Sequence, residues 1–394
     1  MNVTFAREPV GLVSYGIYLP DSYLTAEEIG ARAGIPPEIV AGKMGIVKKH
    51  RAGPDEHISD LAVEAARRAL GDLSPEEIDV LIYFGSEYKD YYVWSIATHI
   101  QERLGMRRAF SFEIMSLCAS FAVAVKVAKD MLLADPGLQT VLLVMGTKEG
   151  DLIDFQNQRS RFMFNFGDGA AACVLRRGHR VNQVLGSAIL TDGRFSLDVY
   201  VPAGGSKIRP TEETIRKRMH FLDVRDPQQM KTSLDPVSLP NFVDVITRAC
   251  ARSGYTPAQI AFLGITHMKP SVHQAILSEL GLPPESSVYL KNHGHIQSGD
   301  QLIALAEAEQ RGLLKDGDLV VLAGAGTGYT WSATCLRWGV AAAETANTAE
   351  TAGTAETAGT ANTANTAETV EIAGTAKTAG TAGTRAGAKG GWGQ

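Results

Sequence analysis

The order of strand and helix patterns repeats once along the chain, and this repeat is the strongest constraint on its fold. In the first half a helical pattern, SDLAVEAARRAL, leads to the strand DVLIYFGS, and further strands follow at AFSFEIM, TVLLVMGTK and FGDGAAACVLRR. In the second half the helical pattern FVDVITRACARSG leads to the strand AFLGITHM, and further strands follow at DLVVLAGAGTG and YTWSATCLRW. The strand segments are continuous apolar runs, as expected for strands covered on both faces.

Two α/β halves of the same design predict a layered fold in which both sheets pack around shared helices. We expect residues 1–178 to form the N-terminal half and residues 179–339 the C-terminal half. A pocket is expected where the halves meet. Residues 340–394 instead carry an imperfect Thr-Ala-X repeat with almost no large apolar side chain. This composition predicts a disordered tail.

Composition excludes several functional classes. The chain has 38 basic and 43 acidic residues, a net charge of −5, which argues against general nucleic-acid binding. Its four cysteines lack the spacing of zinc ligands or of a disulfide framework, so we expect no metal site. We expect no membrane span, because no apolar run is long enough, and no secretory signal is visible. These features predict a cytoplasmic protein.

Cys118 lies where the strand AFSFEIM ends and the helical pattern ASFAVAVKVAKDMLL begins. A thiol in this position is close to the positive end of a helix dipole, which favours the nucleophilic thiolate. A free cysteine is also commonly a small buried hydrophobe. The residue pattern alone therefore leaves both roles open for Cys118.

Histidines of the second half are candidates for a partner of this thiol. His267 ends the strand GITHM, and His293 and His295 flank a glycine in the turn KNHGHIQSGD. We expect Ser298 or Asp300 to cap the helix that follows this turn. Nucleophilic acyl transfer requires a cysteine and a histidine in contact, but spacing along the chain cannot establish that contact.

Five segments of the chain resemble, in order and approximate spacing, β-ketoacyl-ACP synthase III and more broadly the thiolase superfamily. They are MSLCASFAVAV, FGDGAAACVL, ITHMKPSVHQAIL, NHGHIQSGDQLIAL and GTGYTW. The resemblance implies the thiolase-like fold, with two similar stacked halves in αβαβα layers, and it covers nearly everything before the Thr-Ala-X repeat. It also implies a homodimer without metal or redox cofactor, whose substrates are thioesters of coenzyme A or acyl carrier protein.

The resemblance implies a role for several individual residues. Cys118 corresponds to the acyl-accepting nucleophile and His267 to the first catalytic histidine. The backbone N–H groups of Cys118 and Thr327 correspond to the oxyanion hole. The third catalytic position is normally Asn, and here it is His295. Either side chain can donate a hydrogen bond to an enolate oxygen, and the related elongating ketosynthases use a Cys-His-His set.

Three activities are compatible with His295 in place of the usual Asn. The first is acyl transfer to Cys118 followed by decarboxylative condensation with a malonyl-type thioester, in fatty acid, polyketide or other specialised metabolism. The second is transfer of the acyl group to an alcohol or amine without decarboxylation. The third is a non-catalytic ketosynthase partner subunit, against which the retention of both Cys118 and His267 argues.

The resemblance also indicates where substrates bind. Val93 falls where the family often places a gating Phe supplied across the dimer, and we expect it to line the substrate pocket with Gly326 and Gly328. Arg161 falls at the position of an arginine that helps to bind the coenzyme A nucleotide. A basic cluster between the halves could attract an acidic carrier, and it includes Lys207, Arg209 and Arg216.

Overall fold

The central feature of the fold is a nine-stranded mixed sheet. The computed structural model describes residues 8–339, so the predicted tail at 340–394 lies outside the described residues. The strands are Val10–Tyr18 (β1), Tyr23–Thr25 (β2), Lys48–His50 (β3), Val80–Gly85 (β4), Phe110–Met115 (β5), Thr140–Thr147 (β6), Gly169–Arg177 (β7), Gln183–Thr191 (β8), Val199–Tyr200 (β9), Asp223–Val224 (β10), Ile260–Ile265 (β11), Leu319–Gly326 (β12) and Thr330–Arg337 (β13). The large sheet has the order β11-β12-β13-β8-β1-β7-β6-β4-β5.

Helices cover both faces of this sheet and fill the space between its two parts. They are Ala26–Ala33 (α1), Pro37–Gly42 (α2), Ile58–Leu70 (α3), Ile96–Leu104 (α4), Ser120–Ala134 (α5), Glu212–Arg216 (α6), Pro227–Arg252 (α7), Pro270–Glu279 (α8) and Asp300–Gln310 (α9). Each strand and helix that the apolar patterns predict is present in the structure. Along residues 8–339, no helix combines the length and hydropathy that a membrane span requires.

The pairing directions of the strands repeat in the two halves. In the first half β1 pairs antiparallel with β7, β7 antiparallel with β6, and β6 and β4 run parallel. In the second half β8, β13, β12 and β11 follow the same series of directions. One residue pair, Gly11 with Gln183, joins the two parts through β1 and β8. The connection between β7 and β8, residues 178–182, is where the sequence predicts the boundary between the halves.

The layers follow from which helix packs on which part of the sheet. Helix α3 contacts β1, β6 and β7, whereas α7 contacts β8, β12 and β13. Helix α5 contacts strands of both parts, including β4 and β13. It is apolar around most of its circumference, as expected for a helix that packs against strands of both parts. The arrangement is the predicted αβαβα series, with Cys118 directly before the central helix α5.

Candidate active site

Cys118 lies at the predicted junction of strand and helix. Strand β5 ends at Met115, a single 3₁₀ turn spans Leu117–Ala119, and α5 begins at Ser120. The side chain is buried, with 5% of its surface exposed. Gly326 packs against this turn so closely that a Cβ there would lie 3.0 Å from the Cys118 backbone nitrogen. A glycine is therefore needed for the end of β12 to approach Cys118.

His295 is the histidine that contacts Cys118. Its Nε2 lies 3.0 Å from the Cys118 Sγ, and its Nδ1 lies 2.5 Å from Asp300 Oδ2. The backbone of His295 forms a parallel bridge with Phe166 of the first half, and its ring packs edge-on against the Phe166 ring. The contact of the two halves therefore fixes the orientation of the imidazole towards the thiol.

Asp300 completes a Cys-His-Asp arrangement that the sequence analysis did not predict. Its fully buried carboxylate accepts hydrogen bonds from the backbone N–H groups of His267 and Ile296, each at 2.7 Å. The prediction that Ser298 or Asp300 caps α9 is wrong, because within residues 8–339 the start of this helix has no side-chain cap. Asp300 instead turns inwards, because three N–H groups compensate for burial of its charge.

Burial and neighbouring charges act in opposite directions on the Cys118–His295 pair. Burial raises the pKa of the Cys118 thiol, whereas the adjacent His295 lowers it. Burial alone would lower the pKa of His295, but the Cys118 sulfur and the Asp300 carboxylate together raise it well above its ordinary value. His295 can therefore hold the proton that Cys118 loses, with Asp300 stabilising the resulting imidazolium.

His267 lies beside this arrangement, and among the hydrogen bonds of residues 8–339 none joins its ring to the Cys118 sulfur. Its Nε2 lies 3.0 Å from the Gly45 carbonyl oxygen, and its Nδ1 lies 2.9 Å from Asn165 Nδ2. Burial lowers the pKa of His267 to about 4, so the ring is neutral at pH 7. The sequence presents both histidines as candidate partners of the thiol. In the structure only His295 forms a hydrogen bond with Cys118, whereas His267 contacts Gly45 and Asn165.

Two cavities reach this region. One of about 430 Å³ is lined by Thr327, Leu117 and the buried carboxyl of Glu149, among others. Burial raises the pKa of Glu149, whose carboxylate accepts a 2.8 Å hydrogen bond from Gln297. Glu149 faces the site, and no motif in the sequence indicated it. Since Leu117 directly precedes Cys118 in the chain, this cavity lies close to the thiol.

The second cavity measures about 620 Å³ and has basic side chains along its wall. Arg161, Lys43 and Lys269 line it, together with Asn165, which contacts His267. Lys207, Arg209 and Arg216 are exposed and line neither of these two cavities. Of the predicted carrier-binding residues, only Arg161 therefore lines one of these two cavities, the one that Asn165 also lines.

Two of the predicted pocket residues, Val93 and Gly328, line neither of the two cavities. Val93 is fully exposed with a φ of 51°, and neighbouring Tyr92 lines the smaller cavity instead. A contribution of Val93 to a pocket stays a prediction that requires a second copy of the chain. Gly328 lines neither cavity, because it lies in the turn after β12, beyond Thr327.

Two family models match the chain. The model of 3-oxoacyl-[acyl-carrier-protein (ACP)] synthase III matches residues 112–193, which include Cys118. The model of the C-terminal part of the same family matches residues 250–338, which include His267, His295 and Asp300. The two matches thus cover all four residues of the site.

Similar proteins cover most of the chain. A β-ketoacyl-[acyl-carrier-protein] synthase III from Symbiobacterium thermophilum is 28% identical over 335 residues, 84% of this chain and 98% of the relative. The crystal structure of a 3-oxoacyl-[acyl-carrier-protein] synthase III from Aquifex aeolicus has a TM-score of 0.72 at 23% identity, covering 84% of this chain and 100% of that one. A priming β-ketosynthase from a polyketide biosynthetic pathway has a TM-score of 0.73 at 21% identity, over 85% of this chain and 98% of that one.

The doubled sheet, the central helix and the cysteine at its start are those of the thiolase-like fold. Within the thiolase superfamily, the chain is a β-ketoacyl-ACP synthase III-like protein. The resemblance and the fold predicted from the sequence are thereby confirmed.

Proposed function

We propose that this protein is an acyltransferase that loads an acyl group onto Cys118 and condenses it with a malonyl-type thioester, with loss of carbon dioxide. The observation that supports loading most directly is the 3.0 Å contact between the Cys118 sulfur and His295, whose other nitrogen faces Asp300. The similarity to synthase III relatives and to a priming β-ketosynthase favours condensation over the two alternatives.

In the first step the Cys118 sulfur attacks the carbonyl carbon of an acyl thioester as its proton passes to His295 Nε2. The backbone N–H groups of Cys118 and Thr327 are proposed to hold the oxyanion of the tetrahedral intermediate. The C–S bond to the carrier then breaks, and His295 returns the proton to the departing thiol. Asp300 keeps Nδ1 protonated throughout, so that Nε2 is free to accept the sulfur's proton.

In the second step the bond between the malonyl α-carbon and its carboxylate breaks, and carbon dioxide leaves. The electron pair forms an enolate whose oxygen accepts a hydrogen bond from His267 Nε2. The enolate carbon attacks the acyl-Cys118 carbonyl, the C–S bond breaks, and the thiolate leaves. This step consumes one proton, which solvent supplies to Cys118 through His295. His295 is therefore proposed as the base for the thiol and His267 as the donor to the enolate.

The 620 Å³ cavity is proposed to bind the carrier arm of the thioester. Arg161, Lys43 and Lys269 offer positive charge to a phosphate group, and Asn165 connects the cavity to His267. The 430 Å³ cavity, lined by Leu117 and Thr327, is proposed to hold the acyl chain. The exposed basic cluster of Lys207, Arg209 and Arg216 then serves an acyl carrier protein rather than coenzyme A.

A homodimer in the cytoplasm completes the proposal. Strand β5 is an edge of the large sheet, with no partner beyond it within residues 8–339. Its first residue, Phe110, is 50% exposed, and the exposed side chains of Tyr91, Tyr92 and Val93 also lie on the surface. An open edge strand with exposed apolar side chains favours pairing with a second chain.

The proposal is tested by intact-protein mass spectrometry with acyl-coenzyme A, followed by measurement of carbon dioxide released from a malonyl thioester. We expect an acyl adduct on the wild type and none on Cys118→Ala. We expect His267→Ala to form the adduct but to release carbon dioxide slowly. Cys173→Ala is the matched control, since that buried cysteine lies on β7, away from the site.

The same measurements separate the alternatives. Adduct formation without carbon dioxide release, together with acyl transfer to an added alcohol or amine, would establish the second activity in place of condensation. No adduct with any acyl thioester, with stable co-purification of another ketosynthase, would favour the non-catalytic subunit.

A further inference from the structure

Asn165 is a buried amide that the proposed reaction has not yet used. It follows the 3₁₀ segment Gln158–Met163 in the first half and is 6% exposed. Its Nδ2 lies 2.9 Å from His267 Nδ1 and 3.4 Å from the His267 carbonyl oxygen. Its Oδ1 is buried without a hydrogen-bond partner among residues 8–339. A buried acceptor without a partner is destabilising and offsets the hydrogen bonds that Nδ2 donates, so net stability does not explain this residue.

The partners of His267 determine which way the amide faces. The Gly45 carbonyl oxygen can only accept, so the Nε2 that lies 3.0 Å from it carries a hydrogen. Because burial lowers the pKa of His267 to about 4, the neutral ring has one N–H at pH 7. Nδ1 therefore presents a lone pair, and only the NH₂ side of Asn165 can satisfy it. The Oδ1 is left without a donor for this reason.

The opposite tautomer would be unsuitable for the condensation. With the hydrogen on Nδ1, Nε2 would present its lone pair to the enolate oxygen and repel it. With Nε2–H, the ring offers a neutral donor that Gly45 holds in the free site and that the thioester oxygen of the extender can take over. Asn165 is the only described side chain that donates to Nδ1.

We propose that Asn165 is a positioning residue that keeps His267 in its neutral Nε2–H tautomer, the form that donates to the enolate oxygen of the malonyl thioester. This inference rests on the proposed function. Asn165 belongs to the first half of the chain and His267 to the second, so the contact crosses between the halves. Asn165 also lines the 620 Å³ cavity, as Arg161 does.

Other charged or titratable groups around His267 must be considered in a test that varies pH. They are Asp300, which accepts from its backbone N–H, and His293, His295 and His273, which lie close enough to interact with its charge. Tyr289 packs against the ring at a centroid distance of 5.1 Å. None of these groups is altered by a substitution at position 165, so a shift of the pH profile reports on the Asn165–His267 contact.

The test compares Asn165→Leu and Asn165→Asp with the wild type. For Asn165→Leu we expect complete acylation of Cys118 at saturating acyl-coenzyme A, a Tm that changes little, and a kcat for carbon dioxide release lowered at least about tenfold, a part of the 10²–10³-fold that loss of a whole oxyanion donor costs. The Tm should change little because removal of the unpartnered Oδ1 offsets the loss of the hydrogen bonds that Nδ2 donates to His267.

Asn165→Asp tests the tautomer directly. A carboxylate beside Nδ1 accepts rather than donates, so it raises the pKa of His267 and draws the hydrogen to Nδ1. The doubly protonated ring still donates from Nε2 below that raised pKa. Carbon dioxide release by this variant should therefore fall as the pH rises through the raised pKa, whereas the wild type should show no such fall.

Thr334→Val is the matched control, because it replaces a fully buried polar side chain whose hydroxyl is paired, 2.9 Å from Ser187. It should lower the Tm and leave kcat for decarboxylation unchanged, the reverse of Asn165→Leu.

Loss of Tm in Asn165→Leu without loss of kcat, or a pH profile of Asn165→Asp equal to that of the wild type, would overturn this inference and leave the proposed function standing. A wild type that releases no carbon dioxide would overturn the proposed function and this inference with it.

Discussion

Replacement of Asp300 by Asn is expected to slow the reaction of Cys118, because it removes the negative charge that faces His295 Nδ1. The carboxylate accepts from His295 Nδ1 at 2.5 Å and from the backbone N–H groups of His267 and Ile296 at 2.7 Å each. An Asn side chain has the same shape but only one acceptor oxygen. The Asn oxygen satisfies two of the three donors when it takes the place of Oδ2, which faces His295 Nδ1 and the His267 N–H. The NH₂ group of Asn then points at the Ile296 N–H and leaves it without an acceptor.

The magnitude follows from the change in charge. A hydrogen bond to a charged group contributes about 1.5–3 kcal/mol and a neutral one about 1 kcal/mol, so the imidazolium of His295 loses roughly 1–2 kcal/mol of stabilisation. At about 1.4 kcal/mol per factor of ten, this lowers the reactive thiolate–imidazolium population roughly 5- to 30-fold. The unsatisfied N–H group of Ile296 should also lower the free energy of unfolding by about 1–3 kcal/mol.

The sign of the effect depends on two opposing influences on Cys118. The Asp300 charge directly raises the pKa of the thiol, whereas His295 lowers it by its charge and its hydrogen bond, and the influence of His295 is the larger. Asp300 is also one of the groups that raise the pKa of His295. Removing the carboxylate therefore weakens the stronger influence, so the pKa of Cys118 should rise.

The assay is the rate of Cys118 alkylation by iodoacetamide against pH, read by mass spectrometry, with Cys118→Ala as background. At pH 7 we expect Asp300→Asn to react roughly 5- to 30-fold more slowly, with its midpoint moved to higher pH. Glu307→Gln is the matched control, because Glu307 lies on the same helix α9 but pairs with His293. An alkylation rate in Asp300→Asn equal to or above that of the wild type would refute the reasoning.

Three further predictions concern the cavities and the open sheet edge. Gly326→Ala places a Cβ 3.0 Å from the Cys118 backbone nitrogen, so acyl loading should fall at least about tenfold while the fold, followed by circular dichroism, is retained. Arg161→Ala should raise the KM for acyl-coenzyme A several-fold with little change in kcat, whereas Lys207→Ala should not; equal effects would contradict the assignment of the 620 Å³ cavity to the carrier. Phe110→Glu should shift the protein from dimer to monomer in light scattering, and a wild type that is already monomeric would refute the edge-pairing proposal.

Much of the fold could be predicted because its signals are local. Continuous apolar runs identified strands such as β4 and β6, which are buried along their whole length. The change from a continuous apolar run to a three-to-four-residue apolar period placed the junction before α5, and with it Cys118. The edge position of β5 is set by the order of strands in the sheet, and its run, FSFEIM, is less apolar than those of β4 and β6.

The candidate site was predicted in part. The sequence indicated Cys118, His267 and His295, and the resemblance implied that they act together. It did not indicate which histidine contacts the thiol, nor that Asp300 faces His295 rather than the end of its own helix. Asn165 gave no signal, because a single Asn beside a strand is far more often part of a turn.

The sequence by itself determined the doubled α/β pattern, the resemblance to the family and the place of Cys118, because these depend on short-range periodicity and on motifs within one segment. Only the tertiary structure decided which partner each histidine contacts. His295 and Cys118 are 177 positions apart, and His267 and Asn165 are 102 apart. A hydrogen bond requires two atoms within about 3 Å in the right direction. Such distances are set by how the two halves pack, and residue spacing along the chain carries no information on that scale.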